Sequence, residues 1–166
     1  FGIFTSPVLM PTFGFDQGFD DYLDLTIYDK ELQDNEIFKI FERGNTTPGA
    51  MDKVEEFLDQ NIKKTFFLFL HLFDVHPDFD PPAPYNTMFD PDYKGSINGI
   101  NVFNNNPSVH KDMPPQDLNH LIALYDGEIR FVDDSGILRL RKMLAERGLI
   151  EKTLIIITSD HGEEFF

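Results

Sequence analysis

The chain contains no cysteine, which excludes disulfide bridges and leaves no signature of the redox environment. Basic residues are scarce, 14 Lys and Arg against 29 Asp and Glu, for a formal net charge of −15. Neutralising nucleic-acid phosphates takes clustered Lys and Arg, so no nucleic-acid partner is expected. Most of the acidic excess reads as a solvated surface, and a cation is an easier partner to accommodate. No apolar run approaches the ~20 residues that span a bilayer, so no membrane span is expected, and Thr65 to Phe73 has the length of a buried strand. No signal peptide is recognisable. The chain starts at Phe1 rather than Met and stops at Phe166 directly after its most informative motif, so it is expected to be a fragment of a longer protein. What is present, 41% hydrophobic and 14% aromatic residues in a chain of 166, suits one globular core rather than disorder.

The stretch Thr153–Phe166 carries the most information. Leu154 to Thr158 is uninterrupted by strongly polar groups and predicts a strand buried on both faces of a parallel sheet. Ser159, Asp160, His161 and Gly162 follow at its carboxyl end, the edge where open α/β sheets place ligands and catalytic groups. Asp160 and His161 offer a hard oxygen and an imidazole nitrogen, half of a metal site, and Gly162 allows a sharp turn behind them. Ser, Asp and Gly are also ordinary turn residues. A second apolar strand is predicted over Phe66–Phe73, ending near His76, whose imidazole could hydrogen-bond an anionic substrate or protonate a leaving group near neutral pH. A histidine before proline is also a common loop residue. His71, inside the strand pattern, reads as a hydrogen-bonded core histidine.

The remainder frames these two motifs. Leu9–Tyr22 is loop-like, with Phe15 and Phe19 expected to plug apolar gaps, and residues 23–46 give no clear pattern. Thr47 and Pro48 read as N-cap and first helical residue, followed by the apolar stripe Val54, Phe57, Leu58 and Ile62. From Pro77 to Pro115 the composition turns to Pro, Asn, Gly and Asp, a long loop whose Tyr85, Phe89, Tyr93 and Phe103 could stack on a substrate or pin the loop down. Gln116–Arg147 predicts one long helix with Leu118, Leu121, Ile122, Tyr125, Ile129, Val132, Leu140 and Leu144 on its stripe, and Gly136 placed for close packing. Asp126, Glu128 and Asp133 are read as solvent-facing or paired with bases such as Arg130.

Four motifs in order resemble the sulfatases of the alkaline-phosphatase superfamily. They are Gly14-Phe15-Asp16-Gln17-Gly18-Phe19-Asp20, then Leu70 to His76 with Pro81, Pro82 and Tyr85, then Tyr125-Asp126-Gly127-Glu128-Ile129, then Thr158-Ser159-Asp160-His161-Gly162-Glu163-Glu164. The resemblance implies an α/β fold, a partial three-layer α/β/α sandwich with a mainly parallel, alkaline-phosphatase-like sheet. Residues 1–166 would be part of a single catalytic domain truncated at both ends. It implies sulfate-ester hydrolysis in the full-length protein by a metal-assisted formylglycine mechanism, with His76 as catalytic and substrate-contacting residue and Asp160 and His161 as the downstream metal ligands. Calcium is the implied ion, with Mg2+ or another divalent cation possible because His161 stands where many sulfatases have asparagine. The implied substrate is a sulfated small molecule or carbohydrate, and the implied compartment periplasmic, secreted or lysosomal-type.

The chain departs from the family pattern in three places. It has no Cys/Ser-x-Pro-x-Arg motif from which formylglycine is made, no Asp-Asp metal pair, and no lysine after the final motif, so the nucleophile is expected upstream and this piece alone is expected to be inactive. A phosphodiesterase or phosphoglycerol-type transferase of the same superfamily, or a non-catalytic acidic metal-binding remnant, stand as alternatives. A sheet cut short leaves strand edges open, so the piece made alone is expected to self-associate.

Overall fold

Three short strands form one all-parallel sheet in the order β2–β1–β3, with β1 (Gly2–Phe4) at the centre, β2 (Tyr22–Asp24) on one side and β3 (Phe69–Leu70) on the other. The computed structural model describes residues 1–26, 45–102 and 106–166. Most of the patternless stretch 23–46, and Phe103, therefore lie outside the described residues. Ile3 stands opposite Leu23 in one neighbour and Leu70 in the other. All three residues of β1 are buried, as a central strand covered on both faces requires. Because alternate side chains leave a strand on opposite faces, Ile3 joins the core beneath helix α1 while Phe4 stacks on Tyr22 at 4.8 Å. Thr5 extends the pairing beyond the ladder: its Oγ1 donates to the His71 carbonyl at 3.3 Å and accepts the Phe73 amide at 2.9 Å.

Helix α1 (Thr47–Asn61) buries Ala50, Met51, Val54, Phe57 and Leu58 against this sheet. Met51, Val54 and Leu58 are fully enclosed, which stabilises by roughly 1.5–3 kcal/mol per side chain. Ile62, expected on the same stripe, lies past the helix end and is exposed. The N-cap is Thr46 rather than Thr47, and neither threonine side chain caps. A carboxylate from the segment that follows β3 does so instead. Asp74 Oδ1 accepts the Thr46 amide and hydroxyl, and Oδ2 accepts the Thr47 amide, each at 2.6 Å. A charged acceptor beats a local hydroxyl at the positive end of the helix dipole.

The predicted long helix is three pieces: α2 (Pro115–Val132), a wide π turn over Asp133–Leu138, and α3 (Arg139–Glu146). The wide turn carries the Gly136 backbone onto its neighbours, where a Cβ would stand 3.0 Å from Leu72 and 3.2 Å from Thr47, the close packing that the glycine suggested. Met143 and Leu144 of α3 complete the first core. Arg139 and Arg147 reach across to Asp52, Glu55 and Asp59 on the outer face of α1, exposed pairs worth roughly 0–1 kcal/mol each.

The long loop builds a second core rather than lying loose. Phe79, Ile97, Val102 and Met113 pack on Leu121 and Leu124 of α2. The Tyr93 hydroxyl donates to Asp117 at 2.6 Å and its ring stacks on His120 at 3.7 Å; the Tyr85 hydroxyl donates to Asp134 at 3.2 Å. Both tyrosines pin the loop, and Phe89 stays exposed. In the N-terminal loop Gly14 and Gly18 take φ of 80° and 87°, the left-handed conformation glycine tolerates best. Phe19 packs on Tyr22 and Phe69, whereas Phe15 faces solvent instead of filling a gap.

Two strand expectations contract. Within Phe66–Phe73 only Phe69–Leu70 is laddered, and Leu154–Thr158 pairs with no strand among the described residues. Ile155 turns into the first core, but Leu154, Ile156 and Ile157 are 85%, 78% and 67% exposed. Apolar composition marks what a segment can bury, and burial on both faces also needs a neighbouring strand to take its backbone groups. Replacing Asp74 by Ala should cost about 2–4 kcal/mol, because three donors at one helix end lose a charged acceptor. Urea unfolding of the Asp74→Ala protein against the parent measures it.

Candidate active site

The parallel strands all end at one edge, and α1 runs antiparallel to them, so its N terminus comes to that edge as well. The chain after β3 turns there. The His76 amide bonds the Phe73 carbonyl at 2.9 Å, and the two rings stack at 4.3 Å with 19° between their planes. His76 Nδ1 lies 2.8 Å from the Pro77 carbonyl oxygen. A carbonyl only accepts, so Nδ1 carries hydrogen and the neutral ring keeps its basic lone pair on Nε2. The side chain is exposed at the tip of this turn, placed to meet a ligand arriving from solvent.

His71 differs from its expectation. Its Nδ1 is buried with no hydrogen-bond partner, and burial holds its pKa below the usual histidine value, opposed by the charge of Asp160. Ile155, five residues before Asp160, packs against the same core as Leu70 and Leu72. Asp160 is held ionised below the usual carboxylate range, first by its own backbone amide and that of His161, then by the charges of His161 and His71. His161 donates from Nδ1 to the Gly162 carbonyl at 2.8 Å, which together with Asp160 raises its proton affinity. Asp160 Oδ2 and His161 Nε2 stand 3.7 Å apart, and both side chains are largely exposed. The left-handed freedom of glycine is unused at Gly162, whose φ is not positive.

A hard cation takes six or more oxygen ligands, and a carboxylate plus an imidazole fit only part of such a shell. Among the described residues no group of three or more His, Asp or Glu is arranged to hold a metal. Asp160 and His161 fit a divalent ion as contributors to a site that further residues must complete.

The loop behind His76 is fastened to α2. Phe79 and Pro81 are fully buried, and a Cβ on Gly127 would stand 2.7 Å from the Tyr85 carbonyl oxygen and 2.9 Å from Pro81 Cγ. Glu128, expected to face solvent, is 3% exposed. Burial, then the charges of Asp74 and Asp80, raise its pKa to about 8, against a hydrogen bond from the Asp80 amide. The signal was present in the spacing, since Leu121, Leu124, Glu128 and Phe131 follow one another at three, four and three residues. That stripe is rotated from the expected one, leaving Ile129 exposed.

The profile of the sulfatase family matches residues 6–166. The chain belongs to the sulfatase family. With its all-parallel sheet and helices, this sulfatase-family domain has the mixed α/β, alkaline-phosphatase-like architecture that the family implies. The multifunctional alkaline phosphatase superfamily protein PehA of Trinickia caryophylli is 29% identical over 160 residues, covering 72% of this chain and 31% of that protein. The chain thus spans about a third of the length of this curated relative. No solved structure matches the chain.

Substituting Gly127 by Ala should destabilise the domain by about 1–3 kcal/mol, since the methyl group meets backbone on the facing loop and cannot be turned aside. A lowered denaturation midpoint with an unchanged slope in urea is the expected reading.

Proposed function

We propose that the full-length protein hydrolyses sulfate esters by a metal-assisted formylglycine mechanism, with residues 1–166 forming part of its single catalytic domain. The observation that carries this reading is the sulfatase-family match over residues 6–166, and the exposed His76 turn after β3 and the exposed Asp160–His161 pair support it. In this reading the nucleophile and the remaining metal ligands come from elsewhere in the polypeptide. A divalent cation held in part by Asp160 and His161 would supply charge screening of the sulfate and alignment of sulfur for in-line attack.

The residues of this chain take three tasks. Asp160 is held ionised, so it presents a ready anionic ligand across the working pH range. His161 lends a nitrogen once its proton has left, which favours calcium or magnesium less strictly than an all-oxygen site would. With Nδ1 committed to Pro77, His76 works through Nε2: its protonated form hydrogen-bonds a sulfate oxygen and passes the proton to the departing alcohol oxygen. The substrate is a sulfated small molecule or carbohydrate, and the compartment is periplasmic, secreted or lysosomal-type. Phosphodiester hydrolysis is the second reading, in keeping with the alkaline phosphatase superfamily named for PehA.

The intact mass and peptide map of the native protein test this reading, by showing whether a cysteine or serine of a Cys/Ser-x-Pro-x-Arg motif is oxidised to the aldehyde. An unmodified serine or threonine nucleophile would support phosphoryl chemistry instead. His76→Ala should lower kcat by about 10²–10⁴-fold, read in steady-state hydrolysis of an aryl sulfate by the full-length enzyme. Cation binding should weaken as pH falls below the raised pKa of His161, by about tenfold per pH unit for one displaced proton. Calorimetric titration of calcium at several pH values checks the slope, and His161→Asn should flatten it.

A further inference from the structure

His76 sits at the exposed tip of its turn, where an imidazole left to itself samples several rotamers. Contacts printed by the turn itself restrict it. Its amide donates to the Phe73 carbonyl at 2.9 Å, its ring stacks on the Phe73 ring at 4.3 Å and 19°, and Nδ1 donates to the Pro77 carbonyl at 2.8 Å. Two of these come from Phe73, so the ring plane of His76 and the direction of its Nε2 follow the placement of that residue.

Phe73 is held in turn by Thr5. The backbone pairing of β1 with β3 runs to the bond from the His71 amide to the Ile3 carbonyl, at 2.9 Å. Past that point the Thr5 side chain takes over from the strand backbone: Oγ1 accepts the Phe73 amide at 2.9 Å and donates to the His71 carbonyl at 3.3 Å. Thr5 is 2% exposed, and its hydroxyl uses both its donor and its acceptor capacity there. A β-branched side chain is stiff at its first torsion, which suits a fixed peg at the end of a buried central strand.

We propose that Thr5 and Phe73 are positioning residues for His76: the buried Thr5 hydroxyl fixes the Phe73 backbone beyond the sheet, and Phe73 sets the imidazole through its carbonyl and its ring face. An exposed side chain is thereby registered to the central strand. Both residues act through His76, because the freedom that the imidazole would lose in the reacting complex is already given up in the free protein. The inference rests on the reading of His76 as the group that meets substrate, though the chain of contacts stands without it.

Protons lying over the face of an aromatic ring resonate upfield, so the stack has a signature independent of activity. In the full-length protein labelled with carbon-13 histidine, the His76 signal is assigned by its loss in His76→Gln. Its ring protons should lie upfield of ordinary histidine positions. Phe73→Leu keeps the backbone bonds and removes the ring, and should return them to the ordinary position. Thr5→Val keeps the shape but deletes both side-chain hydrogen bonds and should move them part of the way, whereas Thr5→Ser keeps the hydroxyl and should hold the parent position. On an aryl sulfate, Phe73→Leu and Thr5→Val should lower kcat by about ten- to a hundredfold with a smaller change in KM, because a misplacement of about 1 Å costs on that order. Thr5→Ser should recover most of that loss. A merely structural role would lower the thermal midpoint and leave the His76 signal unmoved; that result, or equal kcat for the Ser and Val variants, overturns the proposal. If Thr5→Val does not fold, Phe73→Leu decides by the same signal. If neither folds, the parent decides: upfield His76 protons support the proposal, and an ordinary position overturns it. Should no sulfate ester be turned over, the functional reading fails by itself, while the resonance measurements still judge the hold on His76.

Discussion

Asp74 takes three hydrogen bonds at the start of α1 from the end of the chain segment that follows β3. Helix N termini leave donors unsatisfied, and the parallel sheet brings this one to the same edge as the strand ends. Satisfying those donors with a carboxylate two residues ahead of His76 couples the orientation of α1 to the position of the histidine turn. The first core depends on the same contact, because α1 supplies most of the side chains that cover Ile3. Helix, sheet and candidate site are thereby fixed by one ionic cap.

The same carboxylate sets a condition on its surroundings. A chain with net charge −15 has few cations to spare, and no described base acts on Glu128 beside Asp74 and Asp80. Keeping Glu128 protonated removes one negative charge where neutralisation by a partner is absent. At the open side of the edge the opposite holds: Asp160 is kept ionised by backbone amides. Glu128 is thus a buried carboxyl of α2, and Asp160 is an exposed one.

The parallel α/β class and α1 were legible because each rests on local pattern: the helical period in α1 and the apolar run that holds β3. What was not legible depends on distant contacts. Thr47 looked like a cap, and only the fold reveals that a carboxylate 27 residues away outbids the local hydroxyl. Glu128 looked solvent-facing because charge was weighed above its place in the stripe with Leu121, Leu124 and Phe131. Leu154–Thr158 had the composition of a buried strand, but strand formation requires a hydrogen-bonding neighbour, which no sequence run supplies by itself. His71 was expected to be bonded, and its Nδ1 lies buried without a partner.

The most direct test of the account is turnover by the full-length protein on an aryl sulfate and a matched aryl phosphodiester, each with and without a chelator. The account predicts sulfate-ester hydrolysis with the higher kcat/KM, abolished by chelation and restored by calcium or magnesium. Hydrolysis of the phosphodiester alone, or sulfate turnover indifferent to chelation, would contradict it.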